Sequence, residues 1–344
     1  MTDKNLFKNV ACFTDIHFGL KHNSRVHNQD CLDFLDWFIA EAKTRNSETC
    51  IMLGDWHHHR ATINVSTLNY SMTALAKLND AFENTYFITG NHDLYYKEKR
   101  ELNSIPMAEL YPNIHLIDDA FEADDVAIVP WLVGDEWKKV SKIKSKYMFG
   151  HFELPRFRMN AQVEMPDHGQ LSADDFQHQD YIFSGHFHSR QEKGIIHYIG
   201  NPFGHNYSDT WDFDRGAMFL EWDGEPEYLN WGDGPRYIQM DLSGLLADPD
   251  KHLAPKTYAK IELDVDLAYE DANFLREILF DNYDIRELKL IPRNEATEDA
   301  ESYGDIKFET VDQIVVESIQ TMDSELYSID KLTEIYNDLE HDKN

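Results

Sequence analysis

Phe183-Ser184-Gly185-His186-Phe187-His188 is the stretch around which the rest of the chain is read. Tyr181-Ile182-Phe183 is a short apolar, β-forming run that stops at Ser184-Gly185. A strand ending there hands two histidines to a loop at its carboxyl end. On extended backbone, residues i and i+2 point the same way, so the spacing predicts that His186 and His188 converge on one small target. A lone His-x-His is more often a pair of loop histidines than a metal site. Its weight comes from four other places where an apolar run stops at ligand-type residues.

Residues 9–13 read as a buried strand that ends at Thr14-Asp15-Ile16-His17, and 50–53 as a second that ends at Gly54-Asp55. Residues 86–88 read as a third, ending at Gly90-Asn91-His92-Asp93, and 147–149 as another, ending at Gly150-His151. Helical periodicity runs over 30–42, with Leu32, Leu35, Trp37, Phe38 and Ile39, and over 65–82. Further strands are predicted at 126–129, 195–199 and 217–220. Strands alternating with helices early, then strands in succession, imply an α/β layered domain with mixed sheets. Ligands in open α/β sheets gather outside the carboxyl ends of strands. That is where all the residues singled out here fall.

The chain has 344 residues, enough for one large domain plus smaller additions, and 42% are hydrophobic. No run approaches the ~20 apolar residues of a membrane span, and the amino terminus lacks a signal-peptide pattern. Cys12, Cys31 and Cys50 form no CxxC and cannot all pair, which points to a reducing, intracellular compartment. A formal charge of −31 argues against simple polyanion binding. Nucleic-acid contact must come from a local basic strip, from metal ions or from a partner.

Asp15, His17, Asp55, Asn91, His151, His186 and His188 offer carboxylate oxygen, amide oxygen and imidazole nitrogen. That mixture suits Mn²⁺, Fe²⁺ or Zn²⁺ better than Ca²⁺ or a thiolate site. Seven ligands with one shared carboxylate is the number that two octahedral or five-coordinate ions require. No Walker or Rossmann phosphate loop and no Gly-x-Ser-x-Gly elbow is present. Read singly, each piece has a bland explanation: Asp15 as a helix N-cap, Asn91 to Asp93 as a turn of left-handed-tolerant residues, His151 as a loop histidine.

Asp-x-His, Gly-Asp, Gly-Asn-His-Asp, Gly-His and Gly-His-x-His, in this order, resemble the signature of the calcineurin-like metallophosphoesterases. Within them the chain resembles the SbcD type, the nuclease subunit of the Mre/Rad (SbcCD) double-strand-break repair complex. In particular it is similar to the short phage version that works with an SMC-like ATPase. Asp15-Ile16-His17-Phe18-Gly19, Gly90 to Tyr96, Gly150-His151-Phe152-Glu153 and Tyr198 to Pro202 carry that likeness. The resemblance implies a metallophosphoesterase fold with a small α+β cap and C-terminal helices. It implies a DNA exo/endonuclease with two divalent transition-metal ions, Mn²⁺ foremost and Mg²⁺, Fe²⁺ or Zn²⁺ as others.

The family pattern puts Asp15, His17 and His188 on the first metal and Asn91, His151 and His186 on the second, with Asp55 bridging. Two cations ~3.5–4 Å apart would activate a shared water for in-line attack on the phosphodiester. His92 would face the scissile phosphate. Asp93 would hold its ring by a hydrogen bond. His58 stands where relatives have another phosphate-facing histidine, with His57 and His59 as alternatives in the same run. Of the histidines outside the motifs, His205 is a candidate substrate-side residue. Partners implied are DNA, an SMC-like ATPase and a second copy of the chain across helices 30–42 and 65–82, with no membrane. The setting implied is intracellular, the host cytoplasm for a phage protein.

Lys142, Lys144, Lys146, Arg156 and Arg158 form the most basic region, read either as a solvated helix face and loop or as a phosphate-contact strip beside His151. Tyr95 is a candidate for stacking on a base. Past residue 235 the character changes: 241–344 holds 27 Asp/Glu against 10 Lys/Arg, −17 of the total. The expected organisation is a nuclease domain over 1–235, a DNA-orienting β-α-β cap over 236–293 and an acidic linker over 294–307. A helical segment follows over 308–344, with a cap at Ser328. There Ile314, Ile319 and Met322, then Leu332, Ile335 and Leu339, fall at helical spacing, as docking onto a coiled-coil partner requires. Two other classes remain: a metallophosphatase or small phosphodiesterase of the same superfamily, and a metal-free scaffold. Leu94 and Tyr95 stand against the first, where phosphatases have Glu and Arg; the full ligand set stands against the second.

Overall fold

The computed structural model describes residues 5–159, 163–265, 267–292, 328, 331 and 332. The chain divides into two compact units, Met1–Arg293 and Asn294–Asn344.

Two six-stranded sheets form the centre of the first unit. The first contains β1 (Asn9–Phe13), β2 (Thr49–Met52), β3 (Asn84–Ile88), β6 (Ile114–Ile117), β13 (Gly216–Glu221) and β14 (Glu227–Asn230). Between β3 and β6 the chain makes a separate hairpin, β4 (Leu94–Tyr96) and β5 (Lys99–Asn103). The second sheet contains β7 (Phe121–Ala123), β8 (Val126–Val129), β9 (Tyr147–His151), β10 (Tyr181–Gly185), β11 (Gln191–Lys193) and β12 (Ile196–Tyr198). Strand order is 14-13-1-2-3-6 in the first and 11-12-10-9-8-7 in the second. Each sheet has a parallel centre, 1-2-3-6 and 12-10-9-8, with antiparallel strands outside it.

Alternation along the strands explains the layering. Val10, Cys12, Ile51, Leu53 and Ile88 face the second sheet and meet Val126, Ile128, Phe149 and Phe183. The residues between them, Ala11, Phe13, Cys50, Met52 and Phe87, point the other way, onto α1 (Arg25–Thr44) and α2 (Val65–Ala81). Phe34 and Phe38 of α1 meet Phe13 at 5.8 and 4.9 Å between ring centres, and all three are fully buried. Each such side chain contributes roughly 1.5–3 kcal/mol by leaving water. The outer face of the second sheet, with Ala127, Met148, Ile182 and Tyr198, lies under the short α3 (Trp137–Val140) and under Leu154, Phe157 and Phe176.

A third sheet, of β15 (Arg236–Asp241), β16 (Thr257–Leu263) and β17 (Glu287–Pro292), is wholly parallel. Its crossovers carry α4 (Leu242–Ala247) and α5 (Tyr269–Asn282), and Ile238, Ala259, Ile261, Leu279 and Leu288 form its own core. It is tied to α1 where Lys256 meets Asp30 at 3.0 Å and Asp33 at 3.2 Å.

Several sequence boundaries shift. Helix 30–42 begins earlier, at Arg25, because the Ser24 hydroxyl accepts from the His27 N–H and caps it. The strands expected to stop at 149 and 183 run on through Gly150-His151 and Ser184-Gly185, paired with each other. β4, β5, β6 and β15 carry no strong apolar alternation and were not expected. Cys12, Cys31 and Cys50 are buried free thiols, each pushed well up by burial. Among the described residues no helix is long and apolar enough to cross a membrane.

Candidate metal centre

β1, β2, β3, β9 and β10 deliver their carboxyl ends to one place, and the turns leaving them are bonded to one another. Asp15 N–H donates to Gly54 O (3.0 Å), His17 N–H to Asp55 O (3.1 Å) and His186 N–H to Asp15 Oδ2 (3.0 Å). His92 N–H donates to Asp55 Oδ1 (2.8 Å). Four of these residues, Asp15, His17, Asp55 and His186, hold positive φ of 52°, 51°, 57° and 89°. Non-glycine residues adopt such backbone at a cost of about 1–3 kcal/mol each, and the surrounding bonds hold them there.

The approach is close enough to require glycine. A Cβ on Gly54, itself at φ +92°, would lie 2.6 Å from His151 Nδ1 and 2.7 Å from Gly90 N. One on Gly185 would lie 2.1 Å from Thr14 Oγ1 and 2.6 Å from Leu53 O. Gly54 and Gly185 are therefore spacing devices between converging turns.

Two donor groups share Asp55. Its Oδ2 lies 3.6 Å from His17 Nε2 on one side and 3.7 Å from His151 Nε2 on the other. On the first side, Asp15 Oδ1 is 3.9 Å from His17 Nε2 and 3.8 Å from His188 Nε2. Asp15 Oδ1 and both ring nitrogens of His17 are buried without a hydrogen-bond partner among the described residues. On the second side, His151 Nδ1 sits 2.6 Å from the Leu53 carbonyl, which can only accept, so the proton is on Nδ1 and Nε2 carries a lone pair. That lone pair faces Asn91 Oδ1 at 3.2 Å, and Asn91 Oδ1 is also 3.0 Å from His186 Nδ1.

Acceptors aimed at one another in a buried space repel unless a cation lies between them. Burial and the neighbouring histidines hold His17 well below the usual imidazole range, and burial brings His151 down to about 4. Both rings are therefore neutral donors at pH 7. Carboxylate, amide oxygen and neutral imidazole in this number fit divalent transition ions.

The structure thus brings together all seven sequence-predicted ligand residues. It corrects the expectation that His186 and His188 point the same way. The strand ends at Gly185 and His186 turns left-handed, so His186 faces Asn91 and Glu153 while His188 faces Asp15. Among the three consecutive histidines, His58 is the one at the cluster, stacked on His92 at 5.3 Å and 17°. His57 is buried between Ser71 and Ser104, and His59 is exposed.

A second correction concerns Asp93. Its carboxylate accepts from the backbone N–H groups of Trp56, His57 and Gly90, and the ring of His92 is held instead by the His58 carbonyl at 2.9 Å. Asp93 splices the β3 turn to the β2 turn. Burial and the Asp55 charge push it above the ordinary carboxylate range.

The basic strip separates. Lys142, Lys144 and Lys146 precede β9, at the opposite end of the strand from His151, about 16 Å away at ~3.3 Å per residue. Lys146 is paired with Asp223 and, at 3.7 Å, Asp180. Arg156 and Arg158 are exposed in the loop leaving the site end, and Tyr95 is exposed beside Tyr96. Ile314, Ile319, Met322, Ile335 and Leu339 lie outside the described residues. Leu332 is described, and its N–H donates to Ser328 O at 3.0 Å, while the Ser328 hydroxyl accepts from Lys331 N–H at 3.4 Å.

Sequence reading named His205 as a candidate substrate-side residue and gave no role to Glu153, Lys97 or Trp131. Glu153 lies 3.2 Å from His186 Nε2, and that bond holds its carboxyl below the usual range, with Lys97 of the β4–β5 hairpin adding to the effect. Trp131 packs on His186 at 5.1 Å. His205 is buried beside His17 and His188 at 5.5 and 5.4 Å between ring centres. Only Glu153, two residues beyond a motif histidine, had a positional signal.

No family model matches the chain. It is 28% identical over 198 residues to a curated protein described as exonuclease subunit 1 of Enterobacteria phage T4, which covers 55% of this chain and 58% of that one. Among solved structures it is similar to Pseudomonas putida nuclease MPE, at 20% identity and a TM-score of 0.30, over 55% of this chain and 66% of the other. The chain spans less than two thirds of the length of either. Five turns thus meet at one donor cluster in a chain that is similar, over about half its length, to a phage exonuclease subunit.

Proposed function

We propose that the chain is a two-metal DNA phosphodiesterase, the nuclease subunit of an SbcCD-type recombination and repair complex. One observation carries the reading: Asp55 Oδ2 stands between two groups of acceptors, 3.6 Å from buried His17 and 3.7 Å from buried His151. Asp15, His17, His188 and Asp55 would hold one ion, and Asn91, His151, His186 and Asp55 the other. Bound there, divalent ions, Mn²⁺ foremost, supply Lewis-acid polarisation of the phosphate and make water a better nucleophile near neutral pH.

The chain's own part is orientation and proton transfer. His92 is fixed twice, by its backbone N–H on Asp55 Oδ1 and by its Nδ1–H on the His58 carbonyl. Nδ1 is thereby committed, and Nε2 is left for the substrate. In the imidazolium form Nε2–H donates to the leaving oxygen, the general-acid role. His58, stacked beneath it, keeps the ring from turning away. Lys97, Arg156 and Arg158 are exposed cations on this end of the molecule, suited to the phosphate backbone.

Residues 308–344 dock on an SMC-like ATPase in this reading, and a second copy of the chain packs across α1 and α2. The test is an assay of the full chain, with and without that ATPase, on end-labelled duplex and single-stranded DNA in Mn²⁺. A chain that cleaves a phosphomonoester and leaves DNA intact contradicts the nuclease reading. Deletion after Asp305 is expected to keep Mn²⁺-dependent cleavage and lose ATPase pull-down; retained pull-down removes the docking role.

A further inference from the structure

His205 lies between β12 and β13, outside every motif, and is 1% exposed. Neither of its ring nitrogens has a hydrogen-bond partner among the described residues. A buried imidazole left wholly unsatisfied is costly, and a phenylalanine would fill the same space without that cost. Phe203 at 5.2 Å and His27 at 5.5 Å flank its ring, and two proposed ligand rings complete its surroundings. It meets His17 edge-on at 81° and His188 at 82°, and the three can present one ring nitrogen each within 4.8 Å of one another.

The backbone around it is held in the way a ligand position needs. Asp209 Oδ2 accepts from His205 N–H at 2.7 Å, and the His205 carbonyl accepts from the Tyr237 hydroxyl at 2.9 Å. Buried Arg215 bonds Asp209 at 3.0 Å and the His188 carbonyl at 3.0 Å. One guanidinium thus ties the loops of His188 and His205 together, while both His205 ring nitrogens stay unclaimed.

Resting on the two-metal reading, we propose that His205 is a third imidazole donor to the ion held by Asp15, His17, His188 and Asp55. That position then offers three nitrogens, against two imidazoles and an amide oxygen on the other side. Nitrogen-rich sites favour borderline transition ions over Mg²⁺, which prefers oxygen. His205 therefore sets both the affinity and the selectivity of the first site.

The test titrates metal-stripped full chain with Co²⁺ and with Mg²⁺ by calorimetry, and follows the visible absorption of Co²⁺. His205→Phe keeps the ring shape and removes the donor; His205→Gln serves if the phenylalanine variant does not fold by circular dichroism. Wild type is expected to take two Co²⁺ ions. The variant should bind the first at least tenfold more weakly, with an altered Co²⁺ spectrum and little change in Mg²⁺ affinity. A folded variant with the wild-type Co²⁺ affinities and spectrum overturns the role of His205 alone. Wild type that takes up fewer than two ions overturns the two-metal reading itself, a result distinguishable from the first.

Discussion

The ring of His92 lies parallel to that of His58, 17° apart at 5.3 Å, while its Nδ1 donates to the carbonyl of that same residue. Backbone and side chain of one histidine thus orient the other. His92→Ala removes no proposed ligand, so calorimetric ion uptake is expected to match wild type while single-turnover DNA cleavage falls at least ~10²-fold. His58→Ala keeps the carbonyl and loses only the stacking ring, worth about 0.5–1.5 kcal/mol, so a drop of roughly tenfold or less is expected. Equal losses in the two variants would mean that His58 acts on substrate directly.

Gly185→Ala places a methyl 2.1 Å from Thr14 Oγ1 and 2.8 Å from His151 Nδ1. Both neighbours are buried and anchored to backbone carbonyls, so neither can step aside. A destabilisation above ~3 kcal/mol is expected by urea unfolding, joined by weaker ion binding. An alanine variant with wild-type midpoint and affinity would mean that the two sheets can separate freely at this end.

Arg215 is 3% exposed and bonds Asp209, Asp212, Asn201 and the His188 carbonyl. Arg215→Met strands the buried Asp209 carboxylate, and removing one partner of a buried pair costs about 3–5 kcal/mol. Denaturant unfolding of the metal-free variant checks this. Because His188 hangs from the same guanidinium, ion affinity should fall with stability.

His57 gives the metal-free fold a defined acid sensitivity. Burial brings it from 6.5 down to about 3, between Ser71 and Ser104. The folded state therefore binds fewer protons than the unfolded chain between pH 6.5 and about 3, and stability falls as pH drops through that window. Going from pH 7 to 4.5, this one residue should remove about 2 kcal/mol. His57→Gln should shrink the wild-type loss by that amount in paired urea titrations; an unchanged difference would assign the effect elsewhere.

Where the ligands would gather was legible because each is written twice, as a residue type and as the stop of an apolar run. Asp15, Asp55 and Asn91 each stand where an apolar run stops, which placed them together, while their proposed roles came from the family resemblance. The divergence of His186 and His188 was hidden because the strand persists to Gly185 and only then reverses its backbone hand, which residue type at position 186 does not announce. Asp93 misled for a related reason: next to His92 in sequence, it spends its oxygens on amides of a different turn. Lys142 to Lys146 are near His151 in sequence but separated from it by the whole length of β9. His205 sits in no motif, and its place beside His17 comes from a loop returning between β12 and β13. The hairpin β4–β5 and strand β15 escaped because polar or short strands lack the alternation that marks a buried face.

The three thiols noted in the fold occupy two strata: Cys12 lies between the sheets, while Cys50 and Cys31 of α1 share the layer between the first sheet and the helices. Burial keeps each protonated, so alkylating reagents find almost no thiolate in the intact molecule. The cysteines then become clocks for the opening of these strata, Cys12 for one and Cys31 with Cys50 for the other. Mass spectrometry of pulse-alkylated protein would report whether the strata part together or one at a time.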